Sequence, residues 1–286
     1  MAPSVLVLAM AGALGTAAAS ILIRQGLRGS NPYTGFWINL AVGAAGLWAA
    51  VLVFGPMGPA EPAGLALFVL SGLIGTMGGR LLRFISIETV GASVSTAMVS
   101  LTPFISTGLA ILLLGEHVTL PILLGTVVIV LGTILLSASG PHQGFRPGRL
   151  VLPFFSAACF GVVAVLRKVG LGQTGPLLGF AVNVTTALVA FTVYLAISGQ
   201  RGAMACRGRS LPYFIAAGVA ENGGVFLGLL ALRLGTVSAV TPLSAAAPIF
   251  VLLMSPLFLR GVEPLTARVV LGTLSIVLGV YLISAL

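Results

Sequence analysis

The sequence has few charged residues, and aspartate is absent altogether. Charged residues make up 7% of the 286 positions, and the acidic ones are five Glu. A soluble domain carries about 25% charged residues. This composition excludes an ordinary soluble globular protein. The 58% share of hydrophobic residues indicates instead an all-α protein embedded in a lipid bilayer.

Cysteine and histidine are also scarce. Cys159 and Cys206 are too few for a disulfide framework. His117 and His142 stand apart from any other metal-binding residue, so we predict no metal site and no cofactor. The net charge of +9 does not indicate a nucleic-acid partner. The basic residues lie singly or in small groups between apolar runs, as in the loops of a membrane protein.

Ten apolar runs approach the length of about 20 residues that a bilayer-spanning helix needs. They lack the alternation of barrel strands, and short connections rich in Gly and Pro separate them. We number them as predicted spans one to ten: 4–23, 33–54, 63–82, 90–114, 119–139, 150–166, 176–198, 211–232, 236–259 and 264–285.

The two halves of the chain repeat each other. GFWINL at 35–40 matches GFAVNV at 179–184, which aligns Asn39 with Asn183. Residues 115–137 and 262–284 are identical at eleven of 23 positions, including Glu116 with Glu263. We therefore predict two five-helix repeats, 1–139 and 150–286, joined by a linker at 140–149. The first apolar run then belongs to the fold and is not a cleaved signal peptide.

An odd number of spans in each repeat makes the second repeat enter the membrane from the opposite side. Inverted repeats of this kind are typical of transporters whose site lies near the midplane between them. The fold prediction is accordingly ten transmembrane helices arranged as two inverted five-helix repeats.

Two longer motifs resemble the EamA type of the drug/metabolite transporter superfamily. They are VGASVSTAMVSLTPFISTGLAILLLGEHVT in the first repeat and ALRLGTVSAVTPLSAAAPIFVLLMSPLFLRGVEPLT in the second. Each carries a proline in the fourth helix of its repeat, Pro103 or Pro248, and a Glu that opens the fifth. The resemblance implies a multi-pass carrier in the cell (inner) membrane that moves small metabolites, often as an exporter of amino acids or related compounds. Where the family commonly has a basic residue early in its second helix, this sequence has Asn39 and Asn183.

Glu221 and Asn222 lie near the middle of span eight, where a charge is costly unless it faces a partner or a cavity. Glu221 either binds a substrate amine, carries a proton, or makes a structural contact between helices. On the offset of 145 that aligns the two prolines, Glu221 matches Thr76, and Arg80 lies one turn further along span three. Arg80 either pairs with Glu221, binds a substrate carboxylate, or extends to the membrane interface. We expect Arg83 to extend to the interface.

Weaker site candidates lie elsewhere in the predicted spans. Asn39 and Asn183 bind substrate or join helices. Thr102 and Met98 are candidate cavity residues just before Pro103. Pro103 and Pro248 are predicted mid-helix, where each frees a backbone carbonyl and forms a hinge or a fixed kink.

Glycines spaced seven residues apart give spans five and ten a smooth face. Gly125 and Gly132 correspond to Gly272 and Gly279. Such faces suit packing between the repeats, and they also make a homodimer through spans five and ten possible.

The leading functional hypothesis is a secondary transporter of small organic molecules that works by alternating access. A non-transporting membrane scaffold and an intramembrane enzyme are the alternatives. The enzyme is disfavoured because no catalytic constellation exists in the spans.

Loop charges give a prediction for orientation. Ten Arg lie on the side opposite the termini, and Arg167, Lys168 and Arg233 lie on the side of the termini. The positive-inside rule then places both termini outside, whereas the resemblance implies that they lie inside. The ten are Arg24, Arg28, Arg83, Arg146, Arg149, Arg201, Arg207, Arg209, Arg260 and Arg268.

Overall fold

The structure, a computed structural model, describes residues 2–90, 95, 98–137, 147–205, 208–258 and 267–284. Within these ranges it has no β-strand, only an isolated bridge between Ala60 and Thr174. The helices are α1 (Pro3–Leu27), α2 (Pro32–Phe54), α3 (Pro62–Val90), α4 (Thr102–Leu114), α5 (Leu120–Ser137), α6 (Val151–Leu171), α7 (Pro176–Ile197), α8 (Ser210–Leu234), α9 (Val237–Ser244), α10 (Ala247–Phe258) and α11 (Ala267–Ser284).

The all-helical class is confirmed, and the protein is a multi-pass membrane protein. Six helices in the described residues are long and apolar enough to cross a bilayer: α1, α2, α3, α6, α7 and α8. The four other predicted spans correspond to shorter helices, so the count of ten crossings and the inverted relation of the repeats stay predictions. The boundaries at 139 and 150 stay a prediction too, and most of the linker lies outside the described residues.

The two prolines begin helices; they do not interrupt them. Pro103 is the second residue of α4 and follows a turn at residues 100–101. Pro248 is the second residue of α10 and follows a turn at residues 245–246. The prediction of a mid-helix position was therefore wrong. Proline is favoured in the first turn of a helix because its missing N–H would have no helical partner there. Each predicted span thus breaks before its proline.

The middle of α3 is a π-helical segment, Gly72–Gly79. Its glycines allow a close approach of neighbouring helices. A Cβ at Gly72 would lie 2.5 Å from the carbonyl oxygen of Asn183 on α7, and one at Gly75 would lie 2.7 Å from Val163 on α6. Single-turn π segments are frequent at functional sites. Here the segment carries Thr76 and ends directly before Arg80.

The closest helix pairs each join the two halves of the chain: α1 with α8, α2 with α7, and α5 with α11. Glycine makes this possible, because a Cβ at Gly224 would lie 2.8 Å from the carbonyl oxygen of Gly12. On α5 and α11, Gly132 faces the Gly272 carbonyl and Gly125 faces the Gly279 carbonyl, at 2.7 and 2.8 Å from a built Cβ. The glycine faces of predicted spans five and ten therefore contact each other within one chain. A homodimer through these spans stays a prediction.

Candidate functional site

A cavity of about 270 Å³ lies between the two halves of the chain. Its wall comes from α1, α3, α4 and the residues just before α4 in the first half, and from α6, α8, α9 and the start of α10 in the second. Much of the lining is apolar, including Phe160, Val163 and Leu229. Four charged side chains line it as well: Arg80, Arg83, Arg167 and Glu221.

Glu221 lies near the middle of α8 and is 1% exposed. Its Oε1 accepts a hydrogen bond from Arg83 Nη1 at 2.9 Å and lies 3.7 Å from Arg80 Nε. Its Oε2 accepts a hydrogen bond from Asn39 Nδ2 at 3.0 Å. The carboxylate therefore has two guanidinium partners and an amide partner from two other helices.

Arg80 also binds the two amides beside Glu221. Its Nη1 donates to the side-chain oxygens of Asn39 and Asn222, both at 3.2 Å. Asn222 in turn donates to the backbone oxygens of Gly218 at 2.8 Å and Asn39 at 3.2 Å. Gly43 leaves room for this contact, since a Cβ there would lie 2.5 Å from Asn222 Nδ2. The predicted residues Glu221, Asn222, Arg80 and Asn39 thus form one buried cluster.

Arg83 was expected to extend to the membrane interface, and this was wrong. Its side chain is 14% exposed and binds both Glu221 and the Ser20 hydroxyl on α1. A signal for this existed in the sequence. Arg80 and Arg83 are three residues apart, so they share one face of α3. The buried carboxylate attracts both side chains to the same side.

A second polar cluster surrounds Asn183, and sequence reasoning found only that one member. Asn183 Oδ1 accepts a hydrogen bond from Thr76 Oγ1 at 2.6 Å and another from Arg167 Nη2 at 3.3 Å. Arg167 Nη2 also donates to Thr76 Oγ1 at 3.1 Å. Asn183 Nδ2 donates to the Phe68 carbonyl at 3.2 Å and to the Ser71 hydroxyl. Arg167 and Arg83 therefore act inside the protein and do not count among the loop cations of the orientation argument.

The weaker candidates divide. Thr102 and Pro103 line the cavity. The Thr102 hydroxyl donates to the Val99 carbonyl at 2.6 Å, which ties it to its own backbone. Met98 is half-buried and lies outside the described cavity lining. The backbone of Pro248 starts α10, and its side chain lies outside the described part of the chain.

Glu116 precedes α5 in the sequence, but its carboxylate contacts the start of α9. Its carboxylate accepts hydrogen bonds from the backbone N–H groups of Val237 at 2.8 Å and Ser238 at 3.0 Å. These groups start α9, where unpaired N–H groups attract an anion. Glu116 therefore links the α4–α5 loop of the first half to the second half. Its repeat counterpart, Glu263, lies outside the described residues.

Comparison with known proteins identifies the family. The model of the EamA-like transporter family matches residues 3–138 and again residues 148–285. A solved structure, titled only as the crystal structure of a protein, covers 100% of this chain and 98% of its own with a TM-score of 0.83 and 16% identity. At that identity the likeness shows the fold alone. Among curated proteins none matches the sequence. The chain belongs to the EamA-like transporter family.

Proposed function

We propose that the protein is a secondary carrier that exports small organic metabolites across the cell (inner) membrane. One observation carries this proposal. The cavity is lined by helices of both halves and contains four charged side chains in a largely apolar wall. Buried charges in membrane spans are costly and mark substrate or ion pathways. Family membership favours transport over catalysis or a scaffold role.

Alternating access is the proposed mechanism. The two halves would rearrange around the cavity and expose it to one side of the membrane at a time. The breaks before Pro103 and Pro248 divide predicted spans four and nine into shorter pieces. Such broken helices can change direction without disturbing a continuous ladder of hydrogen bonds. Both proline positions therefore remain hinge candidates, at helix starts.

In this proposal Glu221 has a structural role and neither binds a substrate amine nor carries a proton. Arg83, Arg80 and Asn39 already occupy its two oxygens. We propose that Glu221 holds the two guanidiniums at the cavity wall and joins α8 to α2 and α3. The substrate then contacts the wall that this ion pair orders.

The cavity itself offers the sharpest test. Gly228 lines it, and a Cβ at this position would meet nothing within 4 Å. A side chain at this position therefore starts in open space, and we expect Gly228→Phe to narrow the cavity. Gly223→Phe is the matched control, because Gly223 lies on the same helix with equally open space but outside the described cavity lining.

The readout combines ligand stabilisation with transport. Purified protein is screened by thermal shift against amino acids, carboxylic acids, nucleosides and organic cations, and the compounds that stabilise it are followed in proteoliposomes. We expect saturable transport by the wild type and by Gly223→Phe, and loss of transport in Gly228→Phe. Equal transport by both variants would show that the cavity is not on the pathway. If the wild type neither binds nor transports any compound, the result would favour the alternative of a non-transporting membrane scaffold.

A further inference from the structure

The two polar clusters occupy corresponding places in the repeats. Asn39 aligns with Asn183, and Glu221 aligns with Thr76. The structure contains both of the contacts that this correspondence implies. Asn39 binds Glu221 at 3.0 Å, and Asn183 binds Thr76 at 2.6 Å. A guanidinium joins each pair, Arg83 at Glu221 and Arg167 at Thr76.

The clusters differ in charge. Glu221 supplies a carboxylate to the first, whereas the corresponding Thr76 supplies only a hydroxyl to the second. Arg167 accordingly donates to two neutral oxygens, at 3.1 and 3.3 Å, and its Nε has no hydrogen-bond partner among the described residues. The Phe180 ring, 5.8 Å away, is its other favourable contact. No carboxylate of the described residues lies within 4 Å of Arg167, since both described ion pairs belong to Glu221.

The Arg167 guanidinium favours a nearby anion. Arg167 is half-buried and its Nε is buried; holding a charge away from water without a counter-charge is costly, and neutral acceptors compensate less than a carboxylate does. Among the described residues, the cavity wall holds three guanidiniums and one carboxylate, a formal balance of +2. The carboxylates of Glu61, Glu88 and Glu116 are not part of this wall.

We propose that the cavity binds an organic anion, and that the oxyanion group of this ligand pairs with Arg167 in the place that Glu221 occupies in the other cluster. This inference rests on the proposed function and gives its substrate class. The planar guanidinium suits a carboxylate, because it offers parallel N–H groups. The apolar wall formed by Phe160, Val163 and Leu229 suits the carbon skeleton of the ligand.

Three probes of one shape and different charge test this inference. Benzoate, benzamide and benzylamine carry an anion, a neutral amide and a cation on the same ring. A cavity of about 150 Å³ is enough to hold benzene, so the ring and its substituent fit the roughly 270 Å³ here. We expect the wild-type protein to bind benzoate at least about tenfold more tightly than either analogue, as one charge-assisted hydrogen bond implies.

Substitutions assign the preference to Arg167. Arg167→Gln should weaken benzoate binding by roughly 10- to 100-fold and leave benzamide binding unchanged. Thr76→Asp places an internal carboxylate next to Arg167 and should produce the same loss. Arg233→Gln is the matched control, because Arg233 is an exposed arginine that binds the Met57 carbonyl outside the described lining. Arg167→Lys keeps the charge and should keep the preference at lower affinity, which leaves the inference testable if Arg167→Gln fails to fold.

Titration calorimetry of the detergent-purified protein gives the three dissociation constants for each variant. Equal binding of the three probes, no binding of any of them, or an unchanged benzoate preference in Arg167→Gln would overturn the inference. None of these results decides whether the protein transports. Gly228→Phe tests transport with whichever metabolite stabilises the protein, whatever its charge, so the two proposals fail separately.

Discussion

The ion pair around Glu221 makes a quantitative prediction for folding stability. Glu221→Gln keeps the size of the side chain and removes its charge. The carboxylate accepts from Arg83 Nη1 at 2.9 Å and from Asn39 Nδ2 at 3.0 Å. Gln has one acceptor oxygen, so its NH₂ group must face one of these two donors. Two buried guanidiniums also lose their carboxylate. Breaking a buried pair by removing one partner costs about 3–5 kcal/mol, and we expect this loss in the free energy of unfolding.

Arg83→Gln should cost less. Glu221 keeps Arg80 Nε at 3.7 Å and the hydrogen bond from Asn39, so the carboxylate loses one charge-assisted hydrogen bond, worth about 1.5–3 kcal/mol. The Ser20 hydroxyl also loses its Arg83 donor. The double variant, Glu221→Gln with Arg83→Gln, should lose less free energy of unfolding than the sum of the two single variants. We expect the difference to exceed about 1 kcal/mol, because residues in one network couple. The exposed Arg233→Gln should stay within about 0.5 kcal/mol of the wild type.

The assay is reversible unfolding in mixed micelles with increasing SDS, followed by helical circular dichroism. The reasoning fails if Glu221→Gln unfolds within about 0.5 kcal/mol of the wild type, as an exposed pair would. Strict additivity in the double variant would also refute it. In that case Arg83 and Glu221 would be close without stabilising each other.

Two further substitutions test the helix contacts. Gly224→Ala should destabilise the protein by about 1–3 kcal/mol, since a Cβ there would lie 2.8 Å from the Gly12 carbonyl and 2.9 Å from the Thr16 amide nitrogen. Gly223→Ala, in open space on the same helix, should instead be neutral or stabilising by up to about 1 kcal/mol. SDS unfolding measures both, and equal effects would contradict the close approach of α1 and α8. Glu116→Gln should cost about 1–2 kcal/mol through the weaker cap on α9. Glu88 is exposed, so Glu88→Gln should leave the free energy of unfolding unchanged. A similar loss in Glu116→Gln and Glu88→Gln would argue against the cap.

The helices and the buried carboxylate could be predicted from the sequence, because both follow from hydropathy over long runs. Glu221 is the single charged residue in predicted span eight, 211–232, so its burial and its need for a partner follow directly. Pairing with Arg80 was one of the predicted alternatives, but the contacts with Arg83 and Asn39 did not follow. Whether Arg83 extends outward or turns inward depends on the rotation of α3 about its axis, which the packing of its glycines against α6 and α7 fixes.

The proline positions show a different limit. Apolar composition alone merges two short helices into one run, because a turn of apolar residues does not interrupt hydropathy. The sequence predicts Pro103 within a single helix, yet residues 100–101 form a turn and Pro103 lies in the first turn of the next helix. The missing N–H of proline is consistent with both arrangements. Only the backbone geometry separates a kinked helix from two consecutive ones.

Arg167 did not follow from the repeat alignment, because its partners Thr76 and Asn183 carry no charge. The alignment of Glu221 with Thr76 was visible in the sequence, and so was Arg167 at the end of span six. The comparison shows that a cluster with an acid in one half has no acid in the other, while a cation is present in both. In a chain with 14 basic and five acidic residues, the protein itself supplies few counter-charges. In the proposed function, a cavity that retains a cation without its acid therefore selects, by charge, the kind of molecule that can complete it.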